Sequence, residues 1–154
     1  MPLTRRTPLT NAGLPLLLVL TLSCGDGTGP SGQNLSGTWT FTTNLTGSGA
    51  RACTTSNFTM QLHQSGTGFS GTYTGTLTCT EQGALVFSSG VAGDVVNGQL
   101  TPGGAVSFYF DVQSVSWTGS LNSSDAMGGQ GSWWFNLGPP TGVVIFGGTW
   151  TATR

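Results

Sequence analysis

Between Phe69 and Thr80 every second residue is a hydroxyl: Ser70, Thr72, Thr74, Thr76, Thr78 and Thr80. Phe69, Gly71, Tyr73, Gly75, Leu77 and Cys79 lie between them. A period of two sends successive side chains to opposite faces of an extended chain, so this stretch is a β-strand with one apolar and one polar face. The design recurs. Leu35, Gly37, Trp39 and Phe41 alternate with Ser36, Thr38, Thr40 and Thr42, and Phe58, Met60 and Leu62 alternate with Thr59, Gln61 and His63. Val106, Phe108, Phe110 and Val112 face away from Ser107, Tyr109 and Asp111, as Val115, Trp117, Gly119 and Leu121 do from Ser116, Thr118 and Ser120. Gly131, Trp133 and Phe135, then Phe146, Gly148, Trp150 and Ala152, repeat the pattern. Val91 to Leu100 alternates brokenly, and its facing is left open.

No stretch beyond the first two dozen residues has a helical period. The pattern therefore predicts an all-β domain over residues 35–154, with eight short antiparallel strands joined by turns. Eight strands close into a small up-and-down barrel, and closure removes the edges that nearly uncharged strands leave unprotected. A β-sandwich is the competing arrangement. Asn44 to Ser56 and Asn122 to Met127, both polar, read as loops. A hairpin with Gln64 opposite Phe69 places Met60 opposite Tyr73 and Cys79 opposite position 54; a one-residue bulge then brings Cys53 and Cys79 within disulfide reach. A tight turn pairing Val112 with Val115 puts Phe110 across from Trp117.

The N-terminus argues for export. Arg5-Arg6 precedes the apolar run Leu14 to Leu22, too short to span a bilayer and right for a signal-peptide core. The run ends in Leu22-Ser23-Cys24, which resembles the lipobox of bacterial lipoproteins, in which the cysteine is acylated and becomes the mature N-terminus. Residues 1–23 are then a signal peptide, and 24–34, with Gly25-Asp26-Gly27-Thr28-Gly29, form a flexible tether. The protein is expected to be lipid-anchored in the periplasm or at the cell surface, most simply on the outer membrane. Of 3 cysteines, acylation takes Cys24 and leaves Cys53 and Cys79 to pair in an oxidising compartment.

Charge excludes one class of partner. The chain has 4 basic residues, all arginine, and 5 acidic ones, and the mature part keeps only Arg51 and Arg154. Nothing resembles the basic stripe that neutralises phosphates, so nucleic acid is not an expected partner. Catalysis has no visible basis either. His63 is the sole histidine; Asp94, Asp111 and Asp125 are scattered, and the spacing gives no reason to bring two of them together. Serines without an activating base are not nucleophiles. No enzyme activity, cofactor or metal is expected.

Gly37-Thr38-Trp39 near the start and Trp150-Thr151-Ala152-Thr153-Arg154 at the end resemble the ends of the calycin barrels, the lipocalin and avidin group. The resemblance implies that Trp39 and Arg154 pair at the closed end, a cation over an aromatic face. Leu35-Ser36-Gly37-Thr38-Trp39 followed by Ser70-Gly71-Thr72-Tyr73 is similar to avidin-like proteins. Phe41 and Gly75 stand where their biotin site has asparagine and serine, so biotin binding is not implied. The inward rings, among them Phe41, Tyr73, Phe108, Phe110, Trp117, Trp133 and Trp150, either fill a core or line a cavity. The expectation is an anchored binding module for a small apolar or aromatic ligand. A filled barrel serving as a structural or protein-interaction unit is the alternative, its protein partner unspecified.

Overall fold

The computed structural model describes residues 32–112, 114–136 and 142–154. The signal segment, Cys24, most of the tether and the glycine-proline break before Gly142 lie outside the described residues.

Eight antiparallel strands form one closed barrel in chain order. They are β1 (Gly37–Gly47), β2 (Arg51–Ser65), β3 (Gly68–Glu81), β4 (Ala84–Leu100), β5 (Ala105–Phe110), β6 (Ser114–Ser123), β7 (Ala126–Asn136) and β8 (Val143–Thr153). The last strand returns to the first, from Thr40↔Thr153 to Thr46↔Gly147. The expected up-and-down barrel is the fold, and a two-sheet sandwich is not.

The β2–β3 hairpin keeps the expected register at its turn, with Gln64 opposite Phe69 and Met60 opposite Tyr73. The register slips by one between Ser56 and Thr59, at Asn57, whose φ is 49°. That bulge sets Cys53 directly opposite Cys79, joined by a disulfide with Cα atoms 4.1 Å apart.

Three sequence expectations need correction. Asn44 to Ser56 is not a loop: β1 continues to Gly47 and β2 begins at Arg51. Leu45, Cys53 and Thr55 are its buried inward positions, and the polar Thr55, like the buried Thr43 just before the stretch, interrupts the apolar alternation. The needs of the two threonines are met locally, because the Thr43 backbone N–H donates to the Thr55 hydroxyl at 3.0 Å. Asn122 to Met127 likewise shortens to a turn at Ser124 and Asp125. Finally, Trp117 lies opposite Phe108, not Phe110. β5 ends at Phe110 and Val112 is exposed beyond it, so the expected pairing of Val112 with Val115 is not made.

The interior is solid. Phe41 stands at its centre, its ring 5.2 to 6.4 Å from those of Phe58, Phe108, Phe110, Trp117 and Trp150. Glycines make room where rings cross strands: a Cβ on Gly131 would come within 2.0 Å of the Trp117 ring. The Trp150 indole N–H donates to the carbonyls of Thr118 and Gln130, each at 3.1 Å.

The Cys53–Cys79 bond closes a loop with a sequence separation of 26. Chain-entropy arguments give such a bond about 3 kcal/mol. Urea denaturation of the Cys53→Ala/Cys79→Ala variant should show a loss of that order; an unchanged midpoint would mean the bond contributes nothing.

Candidate functional site

The barrel's two ends differ. At one, the chain enters beside its own C-terminus. The Arg154 guanidinium lies over the Trp39 ring, 4.8 Å from its centroid, and donates to Ser36 O at 3.0 Å, Ser124 O at 2.5 Å and Asp125 Oδ1 at 3.1 Å. The Trp39 indole N–H donates to Leu35 O at 2.8 Å. The Asp125 carboxyl is lowered by its bonds from Ser124 and Arg154. The Gln64 side chain accepts from Leu35 N at 2.6 Å and donates to the carbonyls of Gln33 and Gly66. This end is tied shut.

At the opposite end the wall is incomplete. β4 has 17 residues and its neighbour β5 has 6. β5 pairs with β4 only between Leu100↔Val106 and Val95↔Phe110, so among the described residues Ala84 to Gly93 is paired on the β3 side alone. On the other flank β6 starts at Ser114, opposite Trp133, while β7 runs on beside β8 to Asn136. The result is a notch between β4 and β7, floored by the β5–β6 connection. A cavity of about 280 Å³ occupies it, lined by Tyr73, Phe87, Ser89, Gly90, Val91, Ala92, Val112, Trp133 and Phe135.

The facing of β4, which its sequence left open, explains the hollow. Phe87, Ser89, Val91 and Gly93 stand opposite the inward residues Cys79, Leu77, Gly75 and Tyr73 of β3. Two of these four are too small to fill the space that a ring would occupy. The bulge between Val95 and Gly98, at Asn97 with φ 54°, breaks the alternation further along.

A polar cluster sits beside the cavity. The Tyr73 hydroxyl and the Asp111 carboxylate lie side by side over Gly93. Asp111 Oδ1 accepts the Asp94 backbone N–H at 2.9 Å, and the Asp111 N–H donates to Asp94 O at 2.9 Å. Residue 93 must be glycine, because a Cβ would fall 2.3 Å from Asp111 Oδ1 and 2.9 Å from the Tyr73 hydroxyl. Burial, reinforced by the Asp111 and Asp94 charges, pushes the Tyr73 phenol up to about 12. The Trp133 indole N–H is buried without an acceptor among the described residues.

Of the seven rings singled out in the sequence, Tyr73 and Trp133 line the cavity. Phe41, Phe108, Phe110, Trp117 and Trp150 are packed inside the barrel. Nothing in the sequence pattern joins Asp94 to Asp111, nor assigns Phe87, Val91 and Phe135 to one site. The detectable signal was the contrast between a short β5 and a long β4. His63 lies on β2 opposite Ser70, near the β2–β3 turn, away from the carboxylates. Among the described residues no three His, Cys, Asp or Glu side chains gather as a metal site would require. Two further hollows lie around His63, Phe69 and Asn97 and around Gln33, Leu121 and Arg154.

Comparison with protein-family models, with curated proteins and with solved structures returns no match.

An unfolded tyrosine ionises near 10.0, whereas Tyr73 holds its proton to about 12. The stabilisation is therefore complete below pH 10 and is lost as pH rises towards 12. Urea unfolding across this window should show wild type losing up to about 1.4 kcal/mol more per pH unit than Tyr73→Phe; parallel profiles would show that Tyr73 is not shielded.

Proposed function

We propose that this chain is an exported, lipid-anchored binding module of the cell envelope, without catalytic activity, whose notch between β4 and β7 receives an apolar or aromatic group. The observation that carries this reading is the cavity itself. It is walled by Phe87, Val91, Trp133 and Phe135 and has the Tyr73–Asp111 pair at its side, a concave apolar site with few polar groups. The anchor fits the same geometry. The described chain begins at Gly32, beside the tied end, and the eight residues from there back to Cys24 reach at most about 28 Å when extended. A barrel tethered from this end keeps the anchor clear of the notch at the opposite end.

A protein-interaction role is the second reading, and one observation favours it. Exposed large apolar side chains gather at the notch end: Leu85 and Val86 on β4, Val112 on the connection, and Trp134, Val143 and Ile145 on the β7–β8 hairpin. Such clustering marks contact surfaces.

N-Phenylnaphthylamine, a neutral aromatic dye, tests the cavity. Its fluorescence should rise on binding the wild-type protein. Ser89→Trp, which fills the notch from an exposed position, should weaken binding at least tenfold; an unchanged titration would remove the notch as the site. For the anchor, Cys24→Ser should move the protein from membranes to the soluble fraction, and unchanged fractionation would argue for plain secretion.

A further inference from the structure

We infer that the notch takes an extended peptide segment as an added β-strand along β4, with alternate apolar side chains in the cavity and a cationic side chain at Asp94 and Asp111. This rests on the notch being a binding site and names its occupant.

The backbone of β4 supplies the first argument. Asp94 directs both its N–H and its C=O to Asp111, on the side away from β3. The register with β3 is unbroken from Thr72↔Asp94 to Thr78↔Ser88, so Ala92, Gly90 and Ser88 also point their backbone groups away from β3. Among the described residues the only partner of these edge groups is the Ser89 hydroxyl, which donates to Gly90 O at 3.1 Å. A row of unpaired backbone groups is a template for another strand. Proteins usually guard such edges with charge or proline. Ala84 to Gly93 contains neither.

Side chains supply the second. A strand laid beside β4 sends every other residue inward, between Phe87 and Val91 on one side and Trp133 and Phe135 on the other. The cavity then sets side-chain preference, while the edge supplies sequence-independent hydrogen bonds.

Charge decides between a peptide and a second copy of this chain. Neither Asp94 nor Asp111 has an ion-pair partner among the described residues. The cations there are Arg51, paired with Glu81 at 3.2 Å, and Arg154, paired with Asp125 at 3.1 Å. A second β4 edge brings no cation, so it leaves the two carboxylates unanswered. A segment bearing a lysine or arginine next to alternating apolar residues answers them.

The probe is a capped hexapeptide, Thr-Val-Thr-Val-Thr-Lys, titrated calorimetrically into the full mature protein. Replacing its lysine by glutamate, or N-methylating the amides that face β4, should each weaken binding at least tenfold. Gly90→Pro should do the same while preserving the fold. The Gly90 N–H faces the edge, and a Cβ there meets nothing closer than Gly75 O at 3.9 Å. Amide exchange at Ser88, Gly90 and Ala92 should slow when the peptide binds. Binding indifferent to both N-methylation and Gly90→Pro would overturn the added strand. If N-phenylnaphthylamine binds and the peptide does not, the peptide inference fails while the small-ligand reading stands; if neither binds, both fail. A dimer in sedimentation that Gly90→Pro abolishes would reassign the edge to a second copy.

Discussion

The β1–β8 ladder is the constraint on which everything else depends. It joins strands from the two ends of the domain, pairing Thr40 with Thr153 and Thr46 with Gly147, and so turns a meander into a cylinder. Only then can Phe41 of β1 touch rings on β2, β5, β6 and β8 together. An open sheet of the same strands would expose one face of every ring and leave two long edges. Arg154 locks the seam by bonding three segments with one guanidinium, joining β8 to the chain before β1 and to the β6–β7 turn.

Packing inside the cylinder is a matching of rings to glycines. Four tryptophans and four phenylalanines are among the largest fully buried side chains, and they fit because positions beside them have no Cβ. Gly131 lies under Trp117 and Gly75 under Phe58, with distances to a hypothetical Cβ of 2.0 and 2.6 Å. Where this matching holds, no cavity remains. On β4 it fails: Ser89 faces inward but is exposed, and Gly93 makes room for the Asp111 carboxylate and the Tyr73 hydroxyl. The notch and the solid core thus have one origin, the choice of small residue on the inward face.

Legibility followed the same logic. The β2–β3 register could be read because a short turn fixes the pairing and the cysteines check it independently. The stretch from Asn44 to Ser56 was misread because its inward apolar residues, Leu45 and Cys53, stand apart across the β1–β2 turn and are flanked by the inward Thr43 and Thr55, which bond to each other and break the apolar alternation. Phe108 stands opposite Trp117 in place of Phe110; β5 ends at Phe110, and the next residue, Asp111, is held against Asp94 of β4. That tie is a contact between strands, and side-chain alternation carries no record of it.

Closure into a barrel, which the sequence favoured over a sandwich, was decided by the pairing of β1 with β8. The sequence by itself determined that this chain forms strands, how many, and which face of most of them is buried. These follow from a period of two, a local property of consecutive residues. Only the tertiary structure decided where the wall is incomplete. A notch arises from the unequal reach of neighbouring strands, with Tyr73, Val91, Val112 and Trp133 brought together from four separate segments. Its location depends on cross-strand register and on where β5 stops, and both are set by pairing between strands.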